Sequence, residues 1–144
     1  MNMKRKVLLV DQNEAISFLI KTLLEKDFET FQVKDSYYAI KELTSNKPFD
    51  LVIVSIESLD DENFQLLQHI KSSSLLKNIN VLVLAEQNNV ELERECERLR
   101  IAAYIEKPFD PLLFTKTIRC VIPVEEVAES FKKHVKIFNL NFYF

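Results

Sequence analysis

Lys47-Pro48-Phe49-Asp50-Leu51-Val52-Ile53-Val54-Ser55 carries four consecutive apolar residues, entered through a proline and closed by a serine. A strand with one wet face alternates apolar and polar side chains. A run that is apolar on both faces is what a parallel strand covered from both sides requires. The same unit recurs on either side of it. Val7-Leu8-Leu9-Val10 is a second such run, ending at Asp11, and Thr30-Phe31-Gln32-Val33, Val81 to Leu84 and Tyr104-Ile105 complete a set of five strands. Between them the apolar spacing changes from strand-like to helical. Ala15, Ile16, Leu19, Ile20, Leu23 and Leu24 predict one buried helical face, and Tyr37 to Leu43 a second helix. Phe64, Leu66, Leu67 and Ile70 mark a third helix and Val90 to Leu99 a fourth, and Leu112, Leu113, Thr117, Ile118 and Val121 face inward from a fifth. Strict strand–helix alternation with short connections predicts an α/β fold, a doubly wound five-stranded parallel sheet with helices on both faces.

Composition narrows what such a fold does. The chain has 144 residues, enough for one domain with a proper core, and its 19 basic and 22 acidic residues are spread evenly. No basic face points to nucleic acid. Glycine is absent, and phosphate-cradling loops of the Walker and dinucleotide types need glycine for close backbone approach, so nucleotide binding of both kinds is disfavoured. Cys96 and Cys120 stand far apart with neither disulfide-framework nor metal-pair spacing, and are read as reduced thiols. His69 and His134 have no metal-ligand spacing to each other or to a cysteine. The apolar run after the basic start stops at Val10, too short for a signal sequence or a membrane span, which makes a cytoplasmic protein the expectation.

In an open parallel sheet ligands bind outside the carboxyl ends of the strands. The residues ending the strands there are Asp11, Gln12, Ser55, Ala85, Glu86 and Lys107. Glu57, Asp60, Asp61 and Glu62 follow the third strand and read as a solvated acidic loop feeding a helix start rather than as a metal cluster. Beyond Pro123, residues 123–144 form an extension in which Val124, Val127, Ala128, Phe131, Val135 and Phe138 keep helical spacing. The alternating tail from Phe138 to Phe144 either opens a following domain or covers an apolar surface.

Across residues 5–122 the sequence resembles the receiver domains of two-component response regulators. Lys6 to Glu14 is similar to that family's first strand and acidic cluster, Asp50 to Ile56 to its central strand, and Asp60 to Leu67 to the loop and helix that follow. The most specific match is Ala103-Tyr104-Ile105-Glu106-Lys107-Pro108-Phe109-Asp110, with Lys-Pro-Phe after the fifth strand. The resemblance implies a flavodoxin-like sheet in strand order 2-1-3-4-5, with residues 1–122 as the receiver-like unit, and a cis bond before Pro108. It also implies a phosphoryl-transfer pocket of two adjacent acids holding Mg²⁺, an aspartate nucleophile, a hydroxyl residue and a lysine. Cation and lysine would neutralise the charge of the transferred group while the carboxylate attacks phosphorus.

Position by position that pocket is dismantled. Asp11 keeps the first acid, Gln12 replaces the second, Ser55 the nucleophile and Ala85 the hydroxyl residue, and Lys107 is kept. Lys107 is expected to pair with Asp11, and Tyr104 stands where the family has an aromatic that swings inward on activation. One acid out of three implies no resident metal or other cofactor and no catalytic residue. The expectation is therefore a pseudo-receiver that binds protein partners of a signalling pathway, or a second copy of itself, through the fourth helix, fifth strand and fifth helix. Tyr104, Pro108 and Phe109 are its candidate switch and contact residues. The competing reading is a switch driven by phosphorylation of Ser55 or by an anion held at Lys107.

Overall fold

The computed structural model describes residues 4–122 and the backbone of 136–137. The elements alternate as β1 (Arg5–Val10), α1 (Glu14–Leu24), β2 (Phe28–Val33), α2 (Ser36–Leu43), β3 (Leu51–Ile56), α3 (Glu62–Ser72), β4 (Asn80–Ala85), α4 (Val90–Arg98), β5 (Ala103–Glu106) and α5 (Pro111–Val121), followed by a two-residue β6 (Lys136–Ile137). Sheet order is β2-β1-β3-β4-β5-β6. The first five strands are parallel, in the expected order, and β6 runs antiparallel against β5.

Burial explains the apolar runs. All six residues of β3 are buried. Even-numbered Val52 and Val54 pack on one side of the sheet with α2, α3 and α4, and odd-numbered Leu51 and Ile53 pack on the other with α1 and α5. Asp50 locks the entry to this strand: its N–H donates to Lys6 C=O at 2.9 Å, and its carboxylate accepts from Lys6 N–H at 2.9 Å. Each helix among the described residues starts from an Asx cap. Asn13, Asp35, Asp61, Asn89 and Asp110 accept from backbone N–H groups one turn in, each cap contributing about 1 kcal/mol. No helix among the described residues is long and apolar enough to cross a membrane.

Three expectations are corrected. In α1 the sheet-facing residues are Ser17, Ile20 and Leu24, whereas Leu19 is 37% exposed. In α5 the inward stripe is Phe114, Thr117, Ile118 and Val121, and Leu112, two positions earlier on the wheel, is 64% exposed. Both sequences offer adjacent apolar residues, so spacing alone fixes the face to within about a residue. Lys136 and Ile137, inside a segment with helical spacing, pair as strand instead because the edge of β5 is there to receive them. The rest of the extension, His134 included, lies outside the described residues.

A chain without glycine must make left-handed turns with other residues. α4 ends in a Schellman motif: Arg100 N–H donates to Glu97 C=O at 3.0 Å and Ile101 N–H to Cys96 C=O at 3.3 Å. Arg100 sits in the position that favours glycine, at φ 60°. Left-handed backbone costs a non-glycine residue roughly 1–2 kcal/mol, partly offset by the extra unfolded-state freedom of glycine. Arg100→Gly is expected to raise stability by about 1 kcal/mol in urea denaturation, and a loss of stability contradicts this reading.

Cys96 and Cys120 are buried and outside any disulfide, the reduced state expected. Burial, and then Glu95 and Glu93 beside it, push the Cys96 thiol up from 9.0 to about 12. The folded state therefore holds this proton where the unfolded chain releases it, so the contribution is full below pH 9 and is lost as pH rises toward 12. The denaturation midpoint is expected to fall through that window, and to fall less steeply in Cys96→Ala. Identical slopes in the two proteins contradict the assignment.

Candidate functional site

β1 and β3 are neighbours in register, with Val10 opposite Val54, so the residues that follow, Asp11 and Ser55, meet at the carboxyl end of the sheet. Both are buried, at 4% and 9% exposure. Ser55 Oγ donates to Asp11 Oδ2 at 2.5 Å. The other oxygen, Oδ1, accepts from Asn13 N–H at 2.9 Å. Lys107, placed by the end of β5, brings Nζ to 4.0 Å from Oδ2. The expected Asp11–Lys107 pair is thus present, with a shorter hydroxyl contact that the sequence did not reveal. A buried carboxylate needs such partners, because burying it unpaired costs several kcal/mol.

The carbonyl groups around this triad are also engaged. Asn63 Nδ2 donates to Ser55 C=O at 2.8 Å, and Asn89 Nδ2 donates to Glu57 C=O at 3.1 Å. Glu57 N–H in turn donates to Asp61 Oδ2 at 2.9 Å. Asp61 caps α3 and Glu62 lies in its first turn, which is the helix-start role expected for part of the acidic loop. Sequence reading missed Asn63 and Asn89. Their signal is the amide type beside a cap or at a cap position, a residue able to serve two backbone groups at once.

Above the triad opens a cleft of about 700 Å³ lined by Asp11, Gln12, Ser55, Glu57, Glu86 and Lys107, among others. Gln12 is exposed at its rim and Ala85 is buried with no polar atom on its side chain. Among the described residues no group of three or more His, Cys, Asp or Glu side chains is arranged to hold a metal ion. His69 is exposed on α3.

β5 connects the cleft to the far edge of the sheet. Lys107 N–H donates to Ala85 C=O at 2.8 Å, and Glu106 Oε2 accepts from Asn88 N–H at 3.1 Å, which ties the β4–α4 turn to β5. The Lys107–Pro108 bond is cis. Pro108 is exposed, and Phe109 is half-buried and stacked on Phe114 with ring centroids 4.7 Å apart. Tyr104 is not a surface contact residue: at 2% exposure it lies inside the core cluster that includes Leu92 and Cys96 of α4. Burial first, then Cys96, Glu93 and Glu106, raise its phenol well above the usual range. Alternation along β5 turns Tyr104 inward toward α4.

The comparisons agree with this geometry. The family model for the response regulator receiver domain matches residues 7–119. The non-phosphorylated HemR receiver domain from Leptospira biflexa is 26% identical, with a TM-score of 0.73 over 87% of this chain and 99% of that one. The chemotaxis response regulator CheY4 of Vibrio cholerae is 22% identical, with a TM-score of 0.73 over 83% and 99% of the two chains. A signal receiver domain of a two-component histidine kinase from Clostridium thermocellum is 20% identical, with a TM-score of 0.71 over 85% and 100%. With the strand order, the Lys-Pro-Phe turn and the family match in agreement, the chain belongs to the response regulator receiver domain family.

Proposed function

We propose that this receiver domain signals without aspartyl phosphorylation, as a protein-interaction module and not an enzyme, and that its pocket is held in one state by the Asp11–Ser55–Lys107 triad. The observation that carries this is the Ser55 hydroxyl on Asp11 Oδ2 at 2.5 Å. At the tip of the central strand there is no carboxylate to attack phosphorus, and Asp11 has both oxygens occupied and a lysine at 4.0 Å. The two charges offset one another. A closed Asp–Lys pair with a neutral hydroxyl needs neither a divalent cation nor a phosphoryl group to balance it.

The working surface is the α4–β5–α5 face, engaging a protein partner of the signalling pathway or a second copy of the chain. β5 supports this choice because it is held at Lys107 and Glu106 and carries Tyr104 locked inward under α4. Pro108 and Phe109, between β5 and α5, shape the same face from the cleft side.

The same hydrogen bond weighs against a switch driven by phosphoserine at residue 55. A phosphoryl group on Ser55 Oγ would stand against the Asp11 carboxylate, and two like charges 4 Å apart repel by about 4 kcal/mol at an effective dielectric of roughly 20. Lys107 is already committed to Asp11, which also leaves an anion little uncompensated charge there.

Incubation with a small-molecule phosphodonor and Mg²⁺, followed by intact-mass measurement, is expected to show no added phosphoryl group. A mass gain of one phosphoryl group that hydroxylamine removes contradicts the reading.

A further inference from the structure

β2 and α2 build one end of the sheet, with β5 toward the other. Their inner positions serve the core: Ala39 and Leu43 are buried, and Phe31, Val33 and Ile40 pack against the same cluster. The outer face of α2 has no such use. Tyr37 and Tyr38, next to each other in its first turn, are 64% and 44% exposed. Their rings meet edge to face, with centroids 5.1 Å apart and planes at 81°. An isolated exposed aromatic is ordinary, whereas tyrosines grouped on one face are the side chains that fill protein–protein contacts.

Lysines organise this face. Lys34 Nζ stands 5.9 Å from the Tyr38 ring centroid, and Lys41 Nζ 5.6 Å from that of Tyr37, one helical turn before it. The acids of the unit are engaged elsewhere: Asp35 Oδ1 accepts from Tyr38 N–H at 3.1 Å, and Glu42 pairs with Lys47 at 3.0 Å. Among the described residues neither Lys34 nor Lys41, both exposed, has an acid within ion-pair distance. A chain of net charge −3 thus carries a local face of two phenols and two uncompensated cations.

Those cations choose the occupant. A second copy docked through this face about a twofold axis would set Lys34 and Lys41 against their own equivalents, and like charges across a contact are penalised. A nucleic-acid strand stacks its bases on open ring faces. Here the two rings stand nearly perpendicular and each has a lysine over it. An acidic protein segment meets neither obstacle. Its carboxylates reach ammonium groups that the rings already hold in place, and an apolar side chain between them covers the phenols.

We propose that the outer face of α2 is a docking site for an acidic segment of a partner protein, with carboxylates on Lys34 and Lys41 and an apolar side chain on Tyr37 and Tyr38. It lies at the β2 end of the sheet, away from α4–β5–α5, and stands independently of the role given to that face.

The test follows the backbone amide shifts of the full chain with three probes: a short glutamate-rich peptide with a central Phe-Leu pair, the same peptide with lysine for each glutamate, and a single-stranded oligothymidylate. The glutamate peptide is expected to move Tyr37, Tyr38 and Lys41 saturably, and the other two probes to leave them in place. Lys34→Glu with Lys41→Glu is expected to weaken the glutamate peptide about tenfold and to create binding of the lysine peptide. Tyr37→Ser with Tyr38→Ser is expected to weaken it about as much with the charges intact. All four side chains are exposed, so the Leu9 and Ile53 amides are expected to stay protected in both variants. No saturable shift on α2, or shifts confined to the cleft around Lys107, overturns the site. Unchanged affinity in the charge reversal overturns the recognition of acid, and unchanged affinity without the tyrosines overturns their part in it. Saturation of the same amides by the oligothymidylate overturns the choice of a protein partner. None of these outcomes depends on the phosphodonor experiment, which reports on the cleft alone.

Discussion

The hydrogen bond from Ser55 to Asp11 spans 44 residues of sequence and joins the tips of the two central strands. What stands at those tips decides what the cleft does. Carboxylates at both tips would repel across a few ångströms and would call for a cation between them. A hydroxyl at one tip changes the electrostatic sign of the problem: it donates where a carboxylate only accepts, so it satisfies Asp11 instead of competing with it. Lys107 then balances the remaining charge from the side. Within the triad itself the carboxylate is offset by protein groups alone.

This arrangement ties the cleft to the far edge of the sheet through a single short strand. β5 ends at Glu106, next to Lys107, and the backbone and side chain of these residues hold β4 and the turn before α4. Three residues before Lys107, Tyr104 is packed among α4 residues. Fixing Lys107 therefore fixes one end of β5, the strand that carries Tyr104. On the proposed reading of α4–β5–α5 as the working surface, a strand anchored this way is pre-organised, which lowers the entropy lost when a partner docks.

Strand identity was legible in the sequence because β1, β3 and β4 are buried on both faces and so read as unbroken apolar runs. The rotation of helices was less legible. Leu112, Leu113 and Phe114 are consecutive and apolar, and packing against the sheet selects Phe114 over Leu112. At the site, the residue types at positions 11, 12, 55, 85 and 107 could be placed by local motifs, because each lies at a fixed offset from a strand. Their contacts could not. The Ser55–Asp11 bond and the Asn89–Glu57 bond join residues far apart in the chain and depend on strand register. Tyr104 was placed on the right strand but credited with surface contact. Its large ring gives no sign in sequence of which side of β5 it takes. β6 escaped notice because two residues cannot establish a period of two.

The state of the cleft is tested most directly by titrating the full chain with Mg²⁺ and following the backbone amide shifts of Asp11, Ser55 and Lys107. An Asp11 carboxylate already engaged by its own lysine and hydroxyl predicts no saturable shift at these positions through the millimolar range. Saturable movement of all three at submillimolar Mg²⁺ would mean that a cation displaces the Ser55 hydroxyl from Asp11, and would contradict the closed pocket.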